Sequence, residues 1–490
     1  MNLGHQSLKP YGPLVRTGPG YVVTHDPEVV RKVMGARSTY GKHPWWKGAR
    51  SHPTEDSILS TLDIKKHDDI KAKTSNGYNG RDKINVNDKV DEQVERLVKL
   101  IRRRFLSTPE THRVADFTDL MRYFTLDVTT HLSYGKHFGF LDNGEDLYAF
   151  SKTMDTYVMA MTLGVDVPFF RNLMHSKLIS FFLPKDTDKS GAGKIMGFVR
   201  PLVLLPDADK FFFWKLELII GSIAQEIVQK RFEKDQKDEV DMLGSFMRHG
   251  LTQAQCEAET FVQIAAGSDT TGSLLATTML YIISTPRVYH RLKDEIRAAV
   301  NGNIVSHPIT QEQAKKLPYL QAVILEGFRM RPPVPYGAFM SIPPQGDTIH
   351  GMYLPGGTGV GFNIVAMMHS TETFGMDVEL FRPERFLECG EEKRRDMLKM
   401  VDMAFGTGRL LCAGKQVALL ELNKIFFEVS TSCMDLNFQF TNRSDTYATV
   451  QLLRQFDFQL VNPRQGWKER ALIVSTQKDM WVAITEGGFN

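Results

Sequence analysis

Apolar residues recur with a helical period through the middle of this chain. Between about residues 62 and 335, segments such as "VDEQVERLVKLIRRRF" at 90–105 place them at i, i+3, i+4 and i+7. Shorter strand-like runs bounded by glycine, proline or polar residues lie outside this region, at 14–24, 347–362 and 469–485. The pattern predicts a mainly α fold with small β-sheets.

The first strand-like run predicts how the fold begins. "LVRTGPGYVVTHDPEVVRKVM" indicates a hairpin around Gly18-Pro19-Gly20 and then a helix, with Asp26 as its N-cap and Pro27 in its first turn. No repeat, low-complexity tract or clear linker follows. We therefore expect one domain over residues 1–490, β-rich over about 1–60 and helical over 61–490.

Composition excludes several classes of protein. The 490 residues are 42% hydrophobic and 10% aromatic, which is enough to bury a large core. The net charge is only +3 and no block of like charges occurs, so nucleic acid is not an expected partner. No C-x-x-C pair is present, which argues against a zinc ribbon or a disulfide framework and for a reducing compartment. The four cysteines are Cys256, Cys389, Cys412 and Cys433.

We expect no membrane-spanning segment in this sequence. Its first 20 residues lack the apolar stretch of a signal peptide or anchor. The longest apolar runs, 198–222 and 261–284, are interrupted by charges, whereas a spanning helix needs about 20 nearly uncharged residues.

The segment "FGTGRLLCAGKQVALLELNKIF" at 405–426 places Cys412 in a glycine-rich loop before a helical pattern. The positive end of a helix dipole and unpaired N–H groups favour a thiolate, the form of cysteine that binds metals. The glycines let a flat, bulky group approach the backbone. A structural buried cysteine is the alternative, because free cysteine is among the most buried residue types.

A second segment, "AAGSDTTGS" at 265–273, interrupts an apolar helical stretch with small and polar residues. Glycine and threonine cost up to about 1 kcal/mol each in a helix interior, so their presence needs a reason. Ala266 and Thr270 share a face and would leave a gap lined by one hydroxyl, with Asp269 beside it. An acid next to an alcohol suggests a proton relay. In the alternative interpretation, Ser268 or Asp269 caps a new helix.

A third segment, "EGFRMRPP" at 326–333, puts Glu326 and Arg329 on one helix face before two prolines end the helix. Such a pair is common and is by itself a weak signal of function.

Taken together, in this order and spacing, the three segments resemble the cytochrome P450 family of heme-thiolate monooxygenases along essentially the whole chain. "FRPERF" at 381–386 adds Arg385, which in the family completes a buried network with Glu326 and Arg329. "ELNK" and "FDFQLVNP" are similar to filamentous-fungal members of specialised metabolism or detoxification, among them the pisatin demethylase type.

The resemblance implies the cytochrome P450 fold and heme b, iron protoporphyrin IX, with Cys412 as the metal ligand. Asp269 and Thr270 would be catalytic and deliver protons to bound O2. The residues implied in cofactor binding are Cys412, Phe405, Gly406, Gly408, Arg409, Gly414, His67, Lys71, Ala266 and Gly267.

Three departures from the family pattern weaken the implied heme propionate contacts. Leu410 stands where an arginine usually precedes the cysteine, with Arg409 one place earlier. The helix that usually offers H-x-x-x-R has "HDDIK" at 67–71. No basic residue occurs near Met340 and Ser341, where one is common.

Two stretches interrupt otherwise continuous patterns, at 198–222 and 429–451. Without them, clean amphipathic helices result. We hypothesise that one or both are unspliced introns, since Val429-Ser430 can be encoded by a GTAAGT donor and Gln451 by CAG. A genuine surface insertion is the alternative for both, and a membrane-dipping segment is a further one for 198–222.

The resemblance implies a monooxygenase acting on a small lipophilic substrate, with electrons from NADPH through a separate NADPH-cytochrome P450 reductase. Two rivals are an inactive heme-binding or misfolded product of retained introns and a heme-thiolate isomerase or dehydratase. Fungal relatives usually carry an anchor and lie on the cytosolic face of the endoplasmic reticulum membrane, so a truncated start would explain the missing anchor. The candidate residues for reductase docking are Lys65, Lys66, Lys73, Lys393, Arg394, Arg395 and Lys399.

Overall fold

The structure is a computed structural model that describes residues 12–52, 55–174, 225–234, 236–306, 308–428 and 456–486. Both stretches suspected as insertions, 198–222 and 429–451, lie outside the described residues, as does Cys433.

Helices make up most of the described chain, as the apolar period predicts, and a further helical stretch covers 225–233. The α-helices with printed bounds are α1 (Pro27–Met34), α2 (Ile64–Tyr78), α3 (Val86–Leu100), α4 (Phe117–Tyr134), α5 (Phe140–Asn143), α6 (Phe150–Asp166), α7 (Pro168–Met174), α8 (Met242–Arg248), α9 (Gln253–Ser284), α10 (Pro286–Asn301), α11 (Gln311–Ala314), α12 (Pro318–Met330), α13 (Ile364–Met368), α14 (Thr371–Phe374), α15 (Glu391–Asp402) and α16 (Lys415–Glu428).

The strands form small sheets, and the predicted mainly α class is confirmed. They are β1 (Leu14–Gly18), β2 (Tyr21–Thr24), β3 (Gly41–Lys42), β4 (Leu106–Ser107), β5 (Val114–Asp116), β6 (Tyr336–Ser341), β7 (Asp347–Ile349), β8 (Met352–Leu354), β9 (Gly359–Asn363), β10 (Phe456–Leu460), β11 (Lys468–Ala471), β12 (Ser475–Lys478) and β13 (Trp481–Glu486).

The largest sheet has the order β1-β2-β9-β6-β3, and a second sheet has the order β10-β13-β4, with β5 also paired to β13. The hairpin predicted around Gly18-Pro19-Gly20 is confirmed, since Leu14 pairs with Thr24 and Gly18 with Tyr21. Asp26 caps α1 as predicted and accepts a hydrogen bond from the backbone N–H of Glu28 at 2.7 Å.

Helix α9 is the centre of the core. It has 32 residues and is therefore about 48 Å long. A capping box between Thr252 and Gln255 starts it, because each side chain accepts a hydrogen bond from the other's backbone N–H. The helix continues through Ser268 and Asp269, so the alternative that one of them caps a new helix is wrong.

Helices α4, α12 and α16 pack against α9. Gly327 on α12 allows one of these contacts, because a Cβ there would lie 2.1 Å from the Thr278 hydroxyl on α9. Among the helices that the structure describes, none combines the length and the apolar character needed to cross a bilayer.

Candidate active site

The loop that presents Cys412 is closed by its own backbone. The N–H of Cys412 donates to the carbonyl of Phe405 at 2.8 Å. Gly406 has φ +75°, and a Cβ there would lie 2.7 Å from the carbonyl oxygen of Leu410. A Cβ at Gly408, whose φ is +59°, would lie 2.3 Å from the carbonyl oxygen of the last residue of α1. Both positions therefore require glycine.

The surroundings of the Cys412 sulfur act on its charge in two opposite directions. Burial raises the pKa of the thiol, and the backbone N–H of Gly414, the Lys71 ammonium and Lys415 at the start of α16 oppose that rise. Cys412 nevertheless keeps solvent-accessible surface. An exposed cysteine of this kind can meet a ligand.

Helix α2 contacts this loop through one lysine. Lys71 donates from Nζ to the carbonyl oxygens of Arg409 at 2.5 Å and Leu411 at 3.1 Å. These contacts hold α2 against the segment directly before Cys412. Lys71 is thus positioned beside the loop, and its predicted role in binding the cofactor stays a prediction.

Arg409 and His67 have protein partners. The Arg409 guanidinium donates to the Ala36 carbonyl at 3.1 Å and to Asp68 at 3.0 Å. His67 is buried, and its Nδ1 lies 3.1 Å from the same Asp68 carboxylate. Burial lowers the pKa of His67. Asp68 therefore links two of the residues predicted to bind the cofactor.

Ala266 and Thr270 lie on an accessible face of α9. Ala266 is exposed although Ile264 and Ser268 on either side are fully buried. The Thr270 hydroxyl donates to the Ala266 carbonyl at 2.7 Å. The gap lined by one hydroxyl, predicted for this face, is consistent with this geometry.

Asp269 points to a different partner than the sequence predicts. Its carboxylate is 3% exposed and lies 3.1 Å from Nε of Arg122 on α4. Burial raises the pKa of Asp269, and Arg122 opposes the rise. The prediction that the Asp269 carboxyl lies beside the Thr270 hydroxyl is therefore corrected. Successive residues of a helix point about 100° apart, and the Thr270 hydroxyl donates within its own helix.

Gly267 also faces α4. A Cβ at this position would lie 2.8 Å from the hydroxyl of Thr129. The close packing of two helices explains this glycine, and its predicted part in cofactor binding stays a prediction.

A small polar cavity connects the Asp269 region with β12. It has room for about one water molecule and is lined in part by Asp269, Arg122 and Gln477. Arg122 also lies 3.5 Å from Asp155, whose other oxygen is paired with Lys478. Since Lys478 is 44% exposed, this chain of charges extends from the buried acid to the surface.

The structure brings Glu326, Arg329 and Arg385 together in a buried network. Arg329 bonds both carboxylate oxygens of Glu326 at 2.8 Å, and Arg385 approaches the same carboxylate at 3.0 Å. The three residues are 0–3% exposed. Arg385 also bonds Asp377 at 2.9 Å, which ties α12 to the segment after α14.

One protein family matches this chain over most of its length. The sequence model of cytochrome P450 matches residues 5–430. The chain belongs to the cytochrome P450 family. This P450 is therefore an oxidoreductase of the heme-thiolate monooxygenase class.

Fungal relatives agree with this assignment. The P450 is 39% identical over 477 residues to cytochrome P450 monooxygenase ABA1 of Pyricularia oryzae, covering 96% of this chain and 84% of the relative. It is 37% identical over 482 residues to aba1 of Botryotinia fuckeliana, covering 98% and 85%. It is 34% identical over 464 residues to abl1 of Leptosphaeria maculans, covering 94% and 74%.

The site fits the heme that the family implies. Cys412 offers an accessible sulfur whose negative charge is supported by the N–H groups of Gly414 and Lys415. Ala266 offers accessible surface with only a methyl side chain on α9, the helix that packs against α16 just after Cys412. A thiolate is a soft ligand suited to heme iron.

Sequence reasoning missed Arg122. Its signal was present, because it is the only cation in the mainly apolar run "FTDLMRYFTLDV" of α4, which also contains Asp119 and Asp127. A buried charge requires a partner, but the sequence does not say which acid pairs with it.

The basic residues expected to dock a reductase lie on α2 and α15. Those fully exposed are Lys65, Lys393, Arg394, Arg395 and Lys399, whereas Lys66 and Lys73 are partly buried. Lys73 pairs with Asp69 at 2.8 Å and Lys66 with Glu55 at 3.2 Å, so part of their charge is neutralised.

Proposed function

We propose that Cys412 binds the iron of heme b and that this P450 inserts one oxygen atom from O2 into a small lipophilic molecule of fungal secondary metabolism or detoxification. The observation that carries the proposal is the accessible Cys412 sulfur at the N-terminus of α16, close to backbone N–H groups and Lys71. Bound heme supplies the activation of dioxygen.

The residues of α9 that handle protons lie on two different faces of the helix. Thr270, next to the accessible Ala266, donates the proton to the reacting oxygen. Asp269 would bring protons to this part of α9 from the side of the polar cavity, where Arg122 holds its carboxylate, and not through a direct bond to Thr270. Asp155 and Lys478 continue this route towards solvent.

Electrons come from NADPH through a separate reductase, which docks on the exposed basic residues of α2 and α15. The protein works at the cytosolic face of the endoplasmic reticulum membrane, as is common for fungal P450s. We propose that residues 1–490 form one P450 domain in which one or both of the stretches 198–222 and 429–451 are unspliced introns; the family match ends at residue 430, just inside the second stretch.

The two rival functions are not favoured. All three relatives reported above are named monooxygenases, which gives no support to an isomerase or dehydratase. The Cys412 loop and the buried Glu326 network have coherent geometry, which speaks against a misfolded product.

The test is the optical spectrum of the reduced, carbon monoxide-bound protein. Wild type should show the red-shifted band of a thiolate-ligated heme, and Cys412→Ser should lose it. Cys389→Ser is the matched control, because Cys389 is a free, partly buried cysteine away from the loop, and it should keep the band. An unchanged band in Cys412→Ser would refute the assignment of the ligand.

A further inference from the structure

Lys42 is a buried lysine without a carboxylate as a hydrogen-bond partner among the described residues. It is 5% exposed, and Nζ donates to the backbone oxygens of Leu59 at 2.6 Å and Ile58 at 3.1 Å. Trp46 covers it, with the ring centroid 4.6 Å from Nζ. Carbonyls and a ring leave the positive charge only partly compensated.

The acids near Lys42 influence its pKa without a direct hydrogen bond to it among the described residues. Burial lowers its pKa to about 7, and Asp56 and Glu259 oppose this. One Glu259 oxygen accepts the N–H of Ile58 at 2.6 Å, so this acid holds the same turn as Lys42 but does not form an ion pair with it. A further anion beside Lys42 would compensate the positive charge of its ammonium group.

The sheet places Lys42 where the family pattern lacks a cation. Strand β3 pairs antiparallel with β6, with Lys42 opposite Met340 and Gly41 opposite Ser341. Directly opposed residues have Cβ atoms about 4.5–5.5 Å apart and share a face of the sheet. Lys42 therefore supplies, from the neighbouring strand, the basic group that is missing near Met340 and Ser341.

Lys42 and Lys71 act on the same buried histidine. Burial lowers the pKa of His67, and the charges of Lys42 on β3 and Lys71 on α2 both add to that lowering. Lys71 bonds the backbone directly before Cys412. Lys71 thus lies against the cysteine loop, and Lys42 shares with it an electrostatic effect on His67.

We propose that Lys42, acting with Lys71, binds a propionate carboxylate of the heme. The inference rests on the proposed binding of heme at Cys412. The carboxylate provides the counter-charge that Lys42 lacks, and Lys42 replaces the arginine usual in the family as a point charge. Lys42 is thereby a cofactor-binding residue contributed by the N-terminal sheet.

The experiment compares heme release from purified ferric holoproteins to excess apomyoglobin. Lys42→Met should release heme faster than wild type by about tenfold, which corresponds to about 1.4 kcal/mol. Lys42→Arg keeps the charge and should stay close to wild type. The matched control is Lys424→Met, because Lys424 is equally buried and bonds a carbonyl, but has its own carboxylate partner, Asp91, at 2.6 Å.

Resonance Raman spectroscopy of the propionate bending bands provides a second measurement that a purely structural lysine would not affect. Lys42→Met and Lys42→Arg should both shift these bands, and Lys424→Met should not. If Lys42→Met yields no holoprotein, the propionate bending bands of Lys42→Arg alone decide whether Lys42 binds the propionate. If the Lys42 variants keep the heme release rate, the propionate bands and the thiolate spectrum of wild type, only the proposed role of Lys42 is overturned. If wild type itself lacks the thiolate spectrum, the proposed function is overturned.

Discussion

Replacement of Arg329 by lysine is a stringent test of the buried network. In wild type the guanidinium bonds both oxygens of Glu326 and the backbone oxygens of Met368, Val378 and Leu380. Lysine keeps the charge but has three donors on a single nitrogen, whereas arginine has five in a planar fork. At least two of the five bonds made by residue 329 would therefore be lost in Arg329→Lys.

The expected loss follows from these acceptors. A hydrogen bond to a charged group contributes about 1.5–3 kcal/mol, so two lost bonds cost about 3–6 kcal/mol. Arg329 and Glu326 are 0% exposed, and water cannot replace the lost bonds without opening the core. The change is large compared with a typical unfolding free energy of about 5–15 kcal/mol.

The assay is urea unfolding of the holoprotein, followed by circular dichroism and by heme absorbance. Arg31→Lys is the matched control, because Glu28 and Arg31 have the same three-residue spacing on a helix but are 77% and 41% exposed. It should cost about 0.5 kcal/mol or less. A loss below about 1 kcal/mol in Arg329→Lys, or one equal to that of the control, would refute the reasoning.

Two further predictions concern packing and pH. Gly327→Ala should lower the unfolding free energy by about 1–3 kcal/mol, because the added methyl group overpacks against the Thr278 hydroxyl. Adding Thr278→Ala should restore part of this loss, and the same urea assay measures both variants. If the two effects were simply additive in the double variant, the proposed contact would be contradicted. Burial raises the pKa of Asp119 to about 6, so the native state binds a proton more tightly than the unfolded chain and stability falls as pH rises from about 4 to 6. Asp119→Asn should remove this fall and gain at most about 3 kcal/mol at pH 7, and parallel pH profiles for wild type and variant would refute the assignment.

Features encoded over short distances were predictable from the sequence. Four such features involve only neighbours within a few residues. They are the capping of α1 by Asp26, the helical period of α9, the glycine loop at Cys412 and the i,i+3 pair of Glu326 and Arg329. Local backbone preferences and side-chain spacing dictate such features, so a linear pattern reveals them.

Features that join distant parts of the chain were not predictable. Strands β4 and β5 interrupt the region predicted as helical, because their partner β13 lies more than 360 residues further along the chain. The same holds for Lys71, which bonds the carbonyl of Arg409 across 338 residues.

The sequence alone determined that this is a mainly helical P450 with Cys412 in a glycine loop before a helix. Only the tertiary structure decided that Asp269 pairs with Arg122, that Gly267 serves helix packing, and that Lys42 stands beside Met340. The physical reason is that the sequence specifies which charges must be buried and compensated, whereas the choice of partner depends on which elements the fold brings within a few ångströms.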